Sequence, residues 1–157
     1  RRSERQRSRR SKKPSLVAPL RTHSAMIGID TNVMLRLLVR DDDSQVRAAE
    51  RFIAAHCSPD DPGFVSLVVV VETAWALRRL YQYDRTQIAT ALESLLNVAE
   101  LEIESAAEVR SAVADFATSA AGLVDCLVAR TNGAAGCEYT VTFDRKAAKL
   151  KGFELLK

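Results

Sequence analysis

Residues 26–43 read MIGIDTNVMLRLLVRDDD, an apolar run that continues into apolar residues at helical spacing. The run predicts a short buried strand over Met26–Asp30, and the spacing predicts a helix over Thr31–Val39. Asp30 stands at the junction, which in open α/β sheets is the edge where ligands bind. A strand that leads directly into a helix indicates an α/β fold.

The alternation of strand and helix continues along the rest of the chain. Further strands are predicted at residues 64–66, 101–103, 139–142 and 153–155. Helices are predicted to begin at the acidic cluster 41–44 and after Ser66, Asp84, Ser105 and Gly122, with a helical turn over residues 144–150. This order predicts a three-layer α/β fold, in which a mainly parallel central sheet is flanked by helices on both faces.

The net charge of +3 is divided unevenly along the chain. Residues 1–25 contain nine Lys or Arg and one Glu, which is a net +8. Residues 26–157 contain 14 Lys or Arg and 19 Asp or Glu, which is a net −5. Because residues 26–157 are acidic as a whole, they do not bind nucleic acid through an overall positive charge. Any nucleic-acid chemistry therefore has to depend on local features.

The basic segment 1–25 is rich in Arg and Ser and has no apolar periodicity, which is typical of a disordered, solvated extension. It is either a basic arm that binds nucleic acid or a stretch upstream of the true start at Met26. We favour the second interpretation, because the predicted domain begins on a methionine. Residues 26–157 are then expected to form one domain.

The cysteines favour a reducing compartment. Cys57, Cys126 and Cys137 are scattered, odd in number and without the spacing of a metal site, so we expect free thiols. No apolar run reaches the length that spans a membrane. We therefore expect a cytoplasmic protein.

Four carboxylates stand where the pattern predicts buried surroundings. Asp30, Glu72 and Asp125 are each the only charged residue of an apolar run, and Asp144 follows the predicted strand YTVTF. A buried carboxylate costs several kcal/mol unless it is paired or bound to a cation, and converging carboxylates raise at least one pKa. A set of oxygen ligands favours Mg²⁺ or Mn²⁺ over zinc.

Helix capping is the competing explanation for three of these residues. An Asp that follows a strand is often only the N-cap of the next helix, which could account for Asp30, Asp125 and Asp144. Capping does not account for Glu72, because that residue lies about two turns into its predicted helix.

Four segments of the chain resemble, in order and spacing, those of the PIN-domain nucleases. They are IDTNVMLRLLVRDD at 29–42, VSLVVVVETAWALRR at 65–79, GLVDCLVA at 122–129 and TVTFDRKAAKLKGFELL at 140–156. The resemblance extends over Met26–Leu156 and is closest to the VapC toxins of type II toxin–antitoxin systems. It implies that the predicted α/β fold is PIN-like.

The resemblance also implies a set of site residues. The family's catalytic and metal-binding acidic quartet corresponds to Asp30, Glu72, Asp125 and Asp144. The polar residues beside the metal, which orient its ligands, correspond to Asn32 and Thr142. Many relatives carry a further Asp at the position of Gly122, so whether the site holds one or two Mg²⁺ or Mn²⁺ ions stays open.

An endoribonuclease toxin is the function that the resemblance implies. A water activated by the metal would attack phosphorus and leave a 5′-phosphate and a 3′-hydroxyl. His23 and His56 are separated in the sequence and do not predict a His pair for cleavage through the 2′-hydroxyl. The expected partners are an RNA substrate such as tRNA or rRNA, a cognate antitoxin and a second copy of the chain in a homodimer.

Three other functions remain possible. A PIN-like module could bind RNA or a partner without catalysis, and a metal-dependent nuclease could act on DNA, since this chemistry needs no 2′-hydroxyl. A phosphatase of the haloacid-dehalogenase type also begins with an Asp after the first strand. The motif typical of that family is Asp-x-Asp-x-Thr, whereas in this chain Asp30 is followed by Thr31 and Asn32.

Six cations near the motif segments could contact phosphates, or could simply belong to solvated helix faces. They are Arg36, Arg40, Arg78, Arg79, Arg145 and Lys146. Trp75 is flanked by Ala74, Ala76 and Leu77, so it is expected in the core rather than as a surface for stacking bases.

Overall fold

The computed structural model describes residues 26–157, so the predictions for residues 1–25 lie outside the described part. The helices are α1 Thr31–Val39, α2 Asp43–His56, α3 Leu67–Arg79, α4 Arg85–Leu95, α5 Ala106–Thr118 and α6 Leu123–Ala134. The strands are β1 Gly63–Val65, β2 Leu101–Ile103, β3 Thr140–Thr142 and β4 Phe153–Leu155, with a 3₁₀ turn at Ala147–Lys149. The predicted α/β order is confirmed.

Side-chain caps start the helices at the predicted places. Asp42 accepts hydrogen bonds from the backbone N–H groups of Ser44 and Gln45 at the start of α2. Asp84 and Gln87 form a capping box at the start of α4. These bonds satisfy N–H groups that the first turn of a helix leaves without partners, which is why the predicted boundaries agree with the structure.

Helix α5 begins after Ser105 as predicted, but the expected side-chain cap at Ser105 is wrong. Its backbone is left-handed, with φ of 52°, and its side chain makes no capping bond at α5. The neighbouring Glu104 instead reaches another helix, where its carboxylate accepts a 2.6 Å hydrogen bond from the backbone N–H of Leu67 at the start of α3. This bond ties the end of β2 to the helix that carries Glu72.

The strands pair in parallel, but not as one continuous ladder. β1 pairs with β2, and β3 pairs with β4. The predicted strand Met26–Asp30 is reduced to a single parallel bridge from Gly28 to Phe64. Asp30 already caps α1, so the backbone leaves the ladder there. Over residues 26–157, the expected central sheet is therefore divided between the β1–β2 side and the β3–β4 pair.

A single apolar cluster holds the helices against β1 and β2. Met34 of α1, Leu77 of α3, and Ile88 and Leu92 of α4 are among its largest fully buried side chains. Deleting most of one such side chain typically costs about 2–5 kcal/mol. This packing sets α1 beside α3, and thereby brings the residue after Asp30 to Glu72. None of the helices within 26–157 is long and apolar enough to cross a membrane.

Candidate active site

Asp30 caps α1 and is fixed by the residue two positions later. Its Oδ2 atom accepts hydrogen bonds from the backbone N–H of Asn32 at 3.2 Å and from the Nδ2 amide of the same residue at 3.1 Å. Asn32 therefore holds the Asp30 carboxylate in place through two hydrogen bonds.

Thr31 connects this corner of the site to α3. Its hydroxyl Oγ1 donates a 2.5 Å hydrogen bond to Oε2 of Glu72, across 41 positions of sequence. Thr31 is buried, whereas Glu72 is exposed, so the donor is held rigidly and the carboxylate is held by it. This residue is absent from the predicted site, although its helical spacing to the buried Met34 and Leu35 could have placed it on the inner face of α1.

The other two carboxylates are also anchored locally. Asp125 lies in the first turn of α6, where its Oδ2 accepts a 3.0 Å hydrogen bond from the backbone N–H of Gly122. Asp144 follows β3, and its Oδ1 accepts from the backbone N–H groups of Lys146 at 2.6 Å and Ala147 at 3.3 Å. The hydroxyl of Thr142 accepts a 3.0 Å bond from the backbone N–H of Asp144, so Thr142 positions the main chain of that residue.

The backbone N–H of Lys146, and then that of Ala147, hold the pKa of Asp144 below its ordinary value. This direction is opposite to the increase that repulsion among four crowded carboxylates would give. The expected burial is also wrong, because Asp30, Glu72 and Asp144 are exposed and Asp125 is half-buried. None of the four carboxylates forms a salt bridge within residues 26–157, and all four are at least partly open to solvent.

Each carboxylate nevertheless keeps one oxygen available. Within residues 26–157 the hydrogen bonds described above use only Oδ2 of Asp30, Oε2 of Glu72, Oδ2 of Asp125 and Oδ1 of Asp144. The second oxygen of each residue makes no hydrogen bond to this part of the chain. A carboxylate has about four lone-pair sites, so anchoring one oxygen leaves the other able to bind a ligand.

One cavity of about 850 Å³ brings three of these residues together. Glu72, Asp125 and Asp144 all line it, whereas Asp30 is not among its lining residues. The connection from Asp30 to the cavity runs through Thr31 and its bond to Glu72. Cavities of this size are typical of binding sites for small molecules and for parts of larger substrates.

The donor set suits a hard cation, but the ligands are not assembled into a cage. Within the described residues, no three His, Cys, Asp or Glu side chains are close enough to hold one metal ion. The side-chain oxygens along the cavity belong to Glu72, Asp125 and Asp144, and carboxylates are ligands that Mg²⁺ and Mn²⁺ prefer. The residues therefore fit such an ion by chemistry, and its binding would have to draw the carboxylates closer together.

Arg85 is a second residue that the predicted site does not contain. Its guanidinium lies 4.2 Å above the ring of Phe116 and donates to the backbone carbonyls of Phe116 and Ala121, the latter at 3.0 Å. It thereby holds the turn that leads into α6 and Asp125. The sequence gives little indication of this role, because an Arg that follows the N-cap Asp84 is an ordinary residue for the first turn of a helix.

The six candidate phosphate contacts separate into three pairs. The guanidinium of Arg36 donates hydrogen bonds to Asp41, Gln45 and Tyr81, and that of Arg40 pairs with Glu50 at 2.7 Å. Both groups therefore already have partners within the protein. Arg78 and Lys146 line the same cavity as the carboxylates. Arg79 lies outside that cavity, in a smaller recess beside Trp75, and Arg145 is exposed and lines neither of them.

The expectation that Trp75 belongs to the core is wrong. Its side chain is 59% exposed and lines the large cavity, as well as the smaller recess. Helix α3 turns Val70, Ala74 and Leu77 toward the core, and Trp75 lies on the opposite side of the helix. The small neighbours that suggested burial are themselves buried, but they do not share the face of Trp75.

Comparison with known proteins identifies the family of this chain. The model of the PIN domain family matches residues 27–152. The chain is 26% identical over 126 residues to a VapC ribonuclease of Aquifex aeolicus (strain VF5), an alignment that covers 80% of this chain and 92% of that relative. No solved structure matches it significantly. Since the family model spans most of the chain, from before Asp30 to beyond Asp144, the protein belongs to the PIN domain family.

Proposed function

We propose that this protein is an endoribonuclease dependent on Mg²⁺ or Mn²⁺, and that it acts as the toxin of a toxin–antitoxin pair. One observation carries the proposal: on a PIN domain, Glu72, Asp125 and Asp144 line one cavity, and Thr31 connects Glu72 to the helix that Asp30 caps. The name of the relative, a VapC ribonuclease, supports RNA rather than DNA as the substrate.

The free oxygens of Asp30, Glu72, Asp125 and Asp144 would hold the ion. When bound, it supplies a Lewis acid that polarises the phosphodiester and lowers the pKa of a water molecule. Thr31 and Asn32 keep two of these carboxylates in a fixed orientation through their hydrogen bonds. Bonds of this kind commonly change metal affinity or activity about 10- to 100-fold when they are removed.

The polar and basic residues of the cavity would bind the substrate on either side of the cut. Arg78 and Lys146 would contact phosphate oxygens, because both line the cavity beside the carboxylates. His56 ends α2 and packs against Phe52, with 4.7 Å between the ring centroids, and does not line the cavity. Without a His in the described part of the site, hydrolysis by water is favoured over attack by the 2′-hydroxyl.

A cleavage assay on the full chain tests the proposal. Purified protein should cut tRNA or rRNA with Mg²⁺ or Mn²⁺ and should stop in EDTA. The downstream product should be degraded by an exonuclease that requires a 5′-phosphate, and the upstream product should be extended by poly(A) polymerase without phosphatase treatment. Cleavage that persists in EDTA, or a 2′,3′-cyclic phosphate among the products, would contradict the mechanism.

The proposed partners follow from the same cavity. A cognate antitoxin would insert an Arg or Lys among Glu72, Asp125 and Asp144 and compete with the metal. The toxin would act as a homodimer in the cytoplasm, where Cys57 and Cys126 stay buried free thiols. If purified antitoxin binds and leaves the cleavage rate unchanged, this form of inhibition is wrong.

A catalytically silent PIN-like module is the alternative, and one observation favours it. The described carboxylates do not form a metal cage, and local backbone hydrogen bonds already anchor three of them. Such a module would bind RNA or a protein partner without cutting. Calorimetry with Mn²⁺ separates the two possibilities, because the enzyme should bind the ion at millimolar concentration and the silent module should not.

A further inference from the structure

Helix α3 carries a carboxylate, an indole and a guanidinium in one row. Glu72, Trp75 and Arg78 follow at intervals of three residues, so each is displaced from the last by about 4.5 Å along the helix axis. All three line the cavity that also contains Asp125 and Asp144. The row therefore starts at Glu72, one of the proposed catalytic carboxylates, and continues along the wall of the cavity.

The packing of the domain does not explain why Trp75 is there. The side chain is 59% exposed, and the nearby Val68 and Val124 are also exposed. The core side of α3 is complete without it, since Val70 and Leu77 are buried on the other face. An exposed aromatic and aliphatic patch of this kind on the wall of a cavity marks a binding surface.

The charges around the indole favour a nucleic acid over an apolar protein segment. Arg78 and Lys146 line the same cavity, although residues 26–157 are acidic as a whole. Arg78 forms no salt bridge with any residue in that range, so its charge is available to a ligand. An aromatic platform flanked by cations is the usual arrangement by which proteins hold a single strand.

We propose that Trp75 stacks on an unpaired base of the RNA, one nucleotide or a few away from the bond that is cut, while Arg78 and Lys146 bind the adjoining phosphates. The proposal rests on the proposed function, because it assigns the substrate contacts of that same cavity. A base inside a duplex is already stacked on its neighbours, and its face is not accessible to the indole. Trp75 would therefore select a loop, a bulge or a single-stranded end.

Trp75 is the single tryptophan of the chain, which gives a direct readout. Short oligoadenylate and oligouridylate, titrated into the full chain in EDTA, should quench its fluorescence saturably, because stacking tolerates any base. A blunt duplex of matched length should quench far less. Trp75→Leu should weaken binding of labelled oligoadenylate about 5- to 150-fold by anisotropy, whereas Trp75→Phe should recover part of the loss.

Tyr139→Leu is the matched control, because Tyr139 is a half-exposed aromatic that does not line the cavity and its loss should leave binding unchanged. Quenching by single strands supports the stacking proposal even if no metal restores cleavage, in which case only the nuclease proposal fails. Cleavage without quenching overturns the stacking proposal and leaves the nuclease intact. Fluorescence that changes with protein concentration and not with RNA overturns it too, and identifies a second copy of the chain as the occupant.

Discussion

Replacing Thr31 with Val tests whether a buried hydroxyl outside the acidic quartet controls the site. The change removes the 2.5 Å hydrogen bond to Glu72 and keeps the shape and β-branching of the side chain. A hydrogen bond to a charged group contributes about 1.5–3 kcal/mol, but the exposed Glu72 recovers water when it is lost. We therefore expect a loss of about 1 kcal/mol in the free energy of unfolding, or about 2–4 °C in Tm for a chain of this length.

The effect on metal binding should be larger than the effect on stability. In Thr31→Val the Glu72 carboxylate has lost its hydrogen bond and is free to rotate, so Mn²⁺ affinity measured by calorimetry should fall about 10- to 100-fold. The rate of RNA cleavage at subsaturating metal should fall in parallel and should recover as Mn²⁺ is raised. This recovery distinguishes a weakened site from a misfolded protein.

Thr73→Val is the matched control. Thr73 is completely buried, lies next to Glu72 in α3, and its hydroxyl has no hydrogen-bond partner within the described chain. Replacing such a hydroxyl with a methyl group should leave the stability unchanged or raise it, since it removes an unsatisfied buried polar group. Equal losses of Mn²⁺ affinity in Thr31→Val and Thr73→Val would refute the positioning role of Thr31.

Three further perturbations test the carboxylates. Asp30→Asn should abolish cleavage and change unfolding by less than about 0.5 kcal/mol, because Asn also caps helices; activity in the pure variant would contradict its assignment. Asp144→Ala should lower stability at neutral pH, and because the folded-state pKa of Asp144 is lowered, the difference should shrink as the pH falls below about 4; a difference that is constant in acid would contradict the cap. Gly122→Asp would put its Cβ 3.1 Å from Oδ2 of Asp125 and so add a second carboxylate beside the first. Repulsion between the two charges should lower Tm in EDTA, and Mn²⁺ should restore it; a drop that Mn²⁺ does not reverse would count against a metal here.

The order and limits of the helices are predictable because local rules determine them. Asp42 and Asp84 cap helices through bonds to residues two or three positions later. The residues that determine where these helices begin are therefore close together in the sequence. Ser105 has the right side chain, yet its φ of 52° and the reach of Glu104 to α3 depend on how two distant segments meet. No local rule contains that information.

The extent of the sheet is less predictable for the same reason. An apolar run over Met26–Asp30 is compatible with a full strand, but a strand needs a ladder partner, and only Gly28 forms a bridge. The positions of β1 to β4 follow from the pattern, whereas their division into two pairs depends on tertiary contacts. The sequence pattern misplaces Trp75 for the same reason. Its small neighbours indicate a buried helix, but which face of that helix is turned toward the core depends on tertiary contacts.

Helix capping and metal binding, which compete as explanations of Asp30, Asp125 and Asp144, are compatible in this structure. Each of these residues accepts a local backbone hydrogen bond at one carboxylate oxygen, which fixes the direction of the side chain. Within residues 26–157 the other oxygen makes no hydrogen bond, and it is the atom that a cation would take. A ligand that is oriented before the ion arrives loses less conformational entropy on binding. These local bonds would therefore orient Asp30, Asp125 and Asp144 for a cation, and the hydroxyl of Thr31 would do the same for Glu72.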